Sequence, residues 1–140
     1  MKKTVFCLMW ALLVVACGRE VSPETELRNE VEAYQATLPE DLGDGVIMND
    51  CQLLFDEVLY VSEVDEEAYG LEDTGEMRKA IKASIAQSLE QERHDSDMRR
   101  MLELCVKTER GLGYQYVGDL TGETVTVHFT ANELERLLNL

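Results

Sequence analysis

The sequence predicts an α+β domain, an antiparallel sheet of about four strands in two hairpins with helices on one face, in the order α-ββ-α-α-ββ-α. Three observations carry this expectation. Apolar residues recur every three or four positions in four segments, which is the helical period, and alternate in two others, which is the strand period. Each alternating segment reads as a hairpin. No β-α-β crossover is visible between them, which favours a sheet of hairpins over a doubly wound one.

The first helix begins at Ser22-Pro23, with the hydroxyl as N-cap and proline at the first helical position. Leu27, Val31, Tyr34 and Leu38 form its apolar stripe, and Pro39 ends it. Residues 38–45 read as a turn-rich connection. From 46 to 64 the period changes: Ile47, Cys51, Leu53 and Phe55 share one parity, interrupted at Asn49, and Val58 to Val61 form a second β-rich run after Asp56-Glu57. The acidic stretch 63–76 leads out of the sheet.

Thr74 is placed to cap the next helix, where Met77, Ile81, Ile85 and Leu89 repeat every four residues. The polar run 91–97 breaks that pattern, and Asp95 or Ser96 can cap a further helix lined by Met98, Met101, Leu102 and Cys105. Gly111 suits a left-handed C-terminal stop. Residues 114–129 form the second hairpin, with Gly118 and Gly122 bracketing its turn. Val125, Val127 and Phe129 face the core there, and Thr124, Thr126 and His128 face water. Thr130 and Glu133 match a capping box, followed by Leu134, Leu137 and Leu138.

The chain has 140 residues, enough for one domain, with 13 Lys+Arg against 28 Asp+Glu, a net charge of −15. That balance excludes nucleic acid as a partner, because phosphate binding needs clustered cations. It equally disfavours charge-driven docking onto anionic lipid headgroups.

The first twenty residues have their own logic. Met1-Lys2-Lys3 is followed by an uncharged run from Val5 to Ala16, well short of the ~20 residues a bilayer-spanning helix needs. Its last four residues, Val14-Val15-Ala16-Cys17, resemble the lipobox of bacterial lipoproteins. The resemblance implies cleavage between Ala16 and Cys17, loss of residues 1–16 as a signal peptide, and lipidation of the Cys17 sulfur and new amino group. Residues 17–22 would then be a lipidated tether and 23–140 the working domain. One acyl chain binds membranes only marginally, whereas two or three give a lasting anchor. Gly18, not Asp, follows the cysteine, which by the same resemblance implies an outer-membrane destination facing the periplasm in a cell that has one. An ordinary cleaved secretory signal and a short uncleaved anchor remain open as alternatives. Without the leader the charge becomes −17, since two of the 13 cations are Lys2 and Lys3. The layout Leu38-Pro39, Asp44-Gly45 and Tyr114-x-Tyr116-x-Gly118-Asp119-x-x-Gly122 resembles small lipoprotein domains of the bacterial envelope, a likeness that brings no activity with it.

Chemistry-bearing residues are few. Cys51 and Cys105 remain after cleavage, Cys7 being lost with the leader. They could form a disulfide in an oxidising compartment, or pack as small buried hydrophobes. Neither lies in a CxxC, so no zinc or redox motif is expected. His94-Asp95-Ser96-Asp97 contains ligand and triad residue types, but sequence neighbours rarely converge in space, and a helix break with its cap accounts for all four. The acidic stretches 41–45 and 64–73 lack calcium-loop spacing. No nucleophile elbow, zincin helix, P-loop or dinucleotide fingerprint occurs, and no cofactor or metal is expected. Tyr114 and Tyr116 could contribute to a binding face or pair across strands. The leading functional reading is a non-enzymatic binding or structural accessory domain of the cell envelope, held to the membrane by lipid on Cys17 and acting on a protein partner. An acidic inhibitor or immunity-type protein that neutralises a cationic envelope protein comes second. A small hydrolase comes last.

Overall fold

The computed structural model describes residues 21–139. Helix α1 (Pro23–Gln35) is followed by three strands, β1 (Glu40–Gly43), β2 (Val46–Leu53) and β3 (Glu57–Val64). Helices α2 (Gly75–Glu92) and α3 (Ser96–Lys107) come next, then β4 (Gly111–Gly118), β5 (Thr124–Phe129) and α4 (Ala131–Leu138). The α+β class is as expected, but the sheet has five strands in the order β1-β2-β3-β4-β5 and is mixed rather than antiparallel.

Two expectations are corrected here. The connection 38–45 contains an edge strand. Asp44 (φ 55°) and Gly45 (φ 79°) form the two-residue turn that joins β1 to β2, the left-handed Asp-Gly pair that suits a tight hairpin. Every residue of β1 is exposed, so it carries no apolar alternation to betray it. The second correction is topological. β3 and β4 pair in parallel, from Glu57 opposite Gly111 to Val64 opposite Gly118. Parallel neighbours need a long crossover, and α2 with α3 supply one. The element order is therefore α-βββ-αα-ββ-α.

A bulge explains why the parity of β2 misleads. Met48 pairs with Ser62 but Asp50 pairs with Val61, which leaves Asn49 as an extra residue. Alternation resets there, so Met48 and Cys51 face the core while Ile47 faces outward. Phe55, expected on the core face, lies in the β2–β3 turn, closed by Leu54 N–H donating to the Glu57 carbonyl at 2.8 Å.

Register places Val58, Leu112 and Phe129 in one row across the sheet and Tyr60, Tyr114 and Val127 in the next. The helices cover this face with Leu27, Val31, Leu89, Leu102, Cys105 and Leu134, forming one core. The opposite face carries Gln115, Thr126 and His128, and among the described residues no helix lies over it. Each helix starts on its cap: the side chains of Ser22, Thr74 and Thr130 accept the amides of Thr25, Met77 and Glu133 respectively, and Asp95 accepts those of Asp97 and Met98. Thr130 and Glu133 complete a reciprocal capping box. Gly111 does not end α3; Glu109 takes the left-handed conformation there (φ 57°). Glycine is needed at 111 because a Cβ would stand 2.1 Å from the Phe129 carbonyl oxygen.

Candidate functional site

The site begins with an incompletely seated helix. The stripe Met77, Ile81, Ile85, Leu89 on α2 becomes fully buried only at Leu89. Lys82 contacts the β5 side of the fold: its ammonium lies 2.9 Å from Glu133 on α4 and 5.1 Å from the centre of the Phe129 ring. The apolar stripe in the first half of α2, Met77 and Ile81, stays half-buried. Beneath it runs an apolar groove of about 490 Å³, with Met77, Ile81 and Ile85 as roof and Val46, Val64 and Tyr116 as floor.

The third wall is the connection between β3 and α2, at Tyr69, Gly70 and Leu71. Acidic side chains hold it in place. Glu66 accepts the Leu120 amide at 2.8 Å, the Thr121 amide at 2.7 Å and the Thr121 hydroxyl at 2.5 Å. In return Asp119 accepts the Glu66 amide at 3.0 Å. These donors hold the Glu66 carboxyl below the usual glutamate range, the Thr121 hydroxyl contributing most. The stretch 64–73, acidic but without calcium-loop spacing, is thus clasped to the β4–β5 turn. Glu72, Asp73 and Glu76 follow this wall in the chain and are exposed, Asp73 paired with Arg78.

A second depression of about 650 Å³ lies between α1, the end of α2 and the start of α3. Tyr34, Tyr60 and Tyr114 line it with Met48, Met98 and Met101, and Glu30, Glu92, Asp95 and Asp97 rim it. Tyr60 stacks on Tyr114 at 5.3 Å between centroids and meets Tyr34 edge-on at 5.8 Å. Burial pushes the Tyr60 and Tyr114 hydroxyls well above their ordinary range, so this floor is uncharged. Tyr114 therefore pairs across strands, while Tyr116 lines the first groove.

The other residues singled out by sequence do not converge with these. His94 is exposed and contacts its neighbour Arg93, at 3.4 Å from Nε to Nε2, while Asp95 is occupied as a cap. His128 is exposed as expected, with Nδ1 2.8 Å from Glu57 on the open sheet face. Among the described residues no set of three metal-ligating side chains forms, and no helix is long and apolar enough to cross a membrane. Cys51 and Cys105 are fully buried in the same core as free thiols, and burial, the main cause at both, pushes each thiol up to about 12. The signal-cleavage and lipidation expectations for Ala16 and Cys17 lie outside the described residues.

No protein-family model matches the chain, and no curated protein does. Solved structures share its fold. A candidate secreted protein of Pseudomonas aeruginosa (PA3611) superposes with a TM-score of 0.58 at 12% identity, over 80% of this chain and 92% of that one. The pilotin EpsS of the Vibrio vulnificus type 2 secretion system gives 0.54 at 15% identity, over 80% and 91%. The type II secretion pilotin AspS of Vibrio cholerae gives 0.53 at 12% identity, over 79% and 91%. At these identities the likeness is one of fold.

Proposed function

We propose that this protein is a lipid-anchored accessory of the bacterial cell envelope that holds an amphipathic segment of another envelope protein in the groove beneath α2, without covalent chemistry. The observation that carries this is the groove itself, an open apolar channel between α2 and the sheet. Such a channel suits the apolar face of a helix, with anchors spaced three and four residues apart. The net charge of −15 favours a segment flanked by Lys or Arg, by charge complementarity. That two pilotins share the fold supports an accessory role in the envelope. The lipobox supports Cys17 as the anchor, with Ala16 the last residue removed and the outer membrane as destination.

The test has two parts. Intact-mass analysis of protein from native membranes is expected to show loss of residues 1–16 and acyl mass on Cys17; an unmodified N-terminus would contradict the anchor. Crosslinking in the native envelope is expected to capture one specific partner with the wild type and to lose it with Ile81→Arg. Equal capture by both would contradict the groove as the binding site.

The acid-rimmed tyrosine depression favours a second reading, an inhibitor of a cationic envelope protein. Its mark is an association rate that falls steeply with ionic strength while groove substitutions have no effect.

A further inference from the structure

The two ends of the sheet differ, and the difference points to how the domain meets the membrane. β4 runs the length of the sheet. Its first residue, Gly111, donates its amide to Asp56 in the β2–β3 turn at 2.9 Å, and its last, Gly118, opens the β4–β5 turn that carries Leu120. At about 3.3 Å per residue these ends lie roughly 23 Å apart. The groove, with Val46, Val64 and Tyr116, belongs to the Leu120 end.

The other end presents Leu54 and Phe55. Phe55 is 96% exposed, the most exposed large apolar side chain among the described residues, ahead of Leu120 at the other end at 68%. A tight turn has no packing use for an aromatic ring in water, whereas an aromatic ring is at home at a membrane interface. The turn is not loose. Arg110, buried, donates from Nε to the Leu54 carbonyl at 2.9 Å and grips Glu24 with both terminal nitrogens, at 2.5 and 2.8 Å. Glu24 is in the first turn of α1. One guanidinium therefore ties the turn to the point where the chain enters the domain. Val21, just before that helix, is also exposed. Only residues 18–21 separate Cys17 from the cap Ser22, a reach of at most about 18 Å for extended chain.

We propose that the β2–β3 turn is a membrane contact, with the Phe55 ring seated in the interfacial region of the leaflet that holds the Cys17 lipid. This rests on the anchor reading above. The short tether makes the contact intramolecular, so one ring suffices where free protein would not bind. Asp56 and Glu57 beside the ring keep it shallow and favour a zwitterionic surface over an anionic one. The contact sets the domain upright, with the open end of the groove directed away from the bilayer.

The only tryptophan of the chain is Trp10, in the leader, so mature Phe55→Trp carries a single indole reporter. The full-length variant, processed in the cell, is reconstituted into zwitterionic phosphatidylcholine vesicles with brominated acyl chains. Leu120→Trp serves as the reporter of the far end. Emission of the Phe55→Trp variant is expected to shift to the blue and to lose at least half its intensity to bromine, while that of Leu120→Trp stays water-like and unquenched. A water-like, unquenched Phe55→Trp signal from protein that floats with the vesicles and carries acyl mass overturns the contact and leaves the anchor standing. Equal quenching of both variants overturns the fixed orientation. Absence of acyl mass on Cys17 overturns the anchor and the contact together.

Discussion

Arg110 shows how much one residue can organise. Its side chain is nearly enclosed, and its three nitrogens satisfy a backbone carbonyl and a carboxylate on another element. Hydrogen bonds to charged groups contribute about 1.5–3 kcal/mol each. Arg110→Met is therefore expected to cost roughly 2–3 kcal/mol of unfolding free energy, measured by urea denaturation. The cysteines offer a second residue-scale test. With both thiols free, buried and raised to about 12, neither should react with a thiol reagent at neutral pH in the native state, and both should react in denaturant. No reactive thiol in denaturant without reductant would establish a Cys51–Cys105 bridge instead. Burial of the two cysteines was one of the two readings the sequence left open, but the role of Arg110 was not legible there. Arg110 follows a helix end and reads as an ordinary surface cation; its partners lie 56 and 86 residues away.

At the scale of elements, what could be read was what is local. Caps at Ser22, Thr74, Asp95 and Thr130 were visible because a cap is a contact between near neighbours in the chain. Thr130→Ala is expected to cost about 1 kcal/mol, read from the shift in the denaturation midpoint. The helix stripes and the β5 alternation were visible for the same reason. What failed was non-local. The Asn49 bulge reverses the facing of β2 without changing its composition, and β1 is a strand because β2 is beside it, not because its residues prefer one. The parallel pairing of β3 with β4 is set by packing across the crossover of residues 65–110. Gly111 was read as a helix stop, whereas its role is to let β5 approach. Gly111→Ala should therefore destabilise by roughly 2–4 kcal/mol, far more than a helix terminus would explain.

The molecule as a whole is acidic, and several of its carboxylates hold the fold together in a way that depends on pH. Glu24 is held below the ordinary glutamate range chiefly by Arg110, Glu66 by the Thr121 hydroxyl and amide, and Glu133 by the Thr130 amide and Lys82. A carboxyl depressed in the folded state stabilises above the unfolded value of about 4.3, and the contribution is lost as pH falls through the lower folded value. Thermal stability is expected to be level near neutrality and to fall below about pH 4. Glu66→Gln should flatten part of that fall and loosen the groove wall at Tyr69–Leu71, seen as faster amide exchange there. The groove itself was hidden from sequence reading. The stripe on α2 predicts a buried face, whereas only Leu89 of it is fully buried and Met77, Ile81 and Ile85 line the groove.

The most direct test of that open face is site-specific photocrosslinking in living cells, with a photoreactive residue in place of Ile81 on the groove roof or Thr126 on the uncovered sheet face. A single envelope protein is expected at Ile81, linked through an apolar segment flanked by basic residues, with no adduct at Thr126. Adducts at Thr126 alone, or none at Ile81 in a protein that is folded and membrane-bound, would contradict the account.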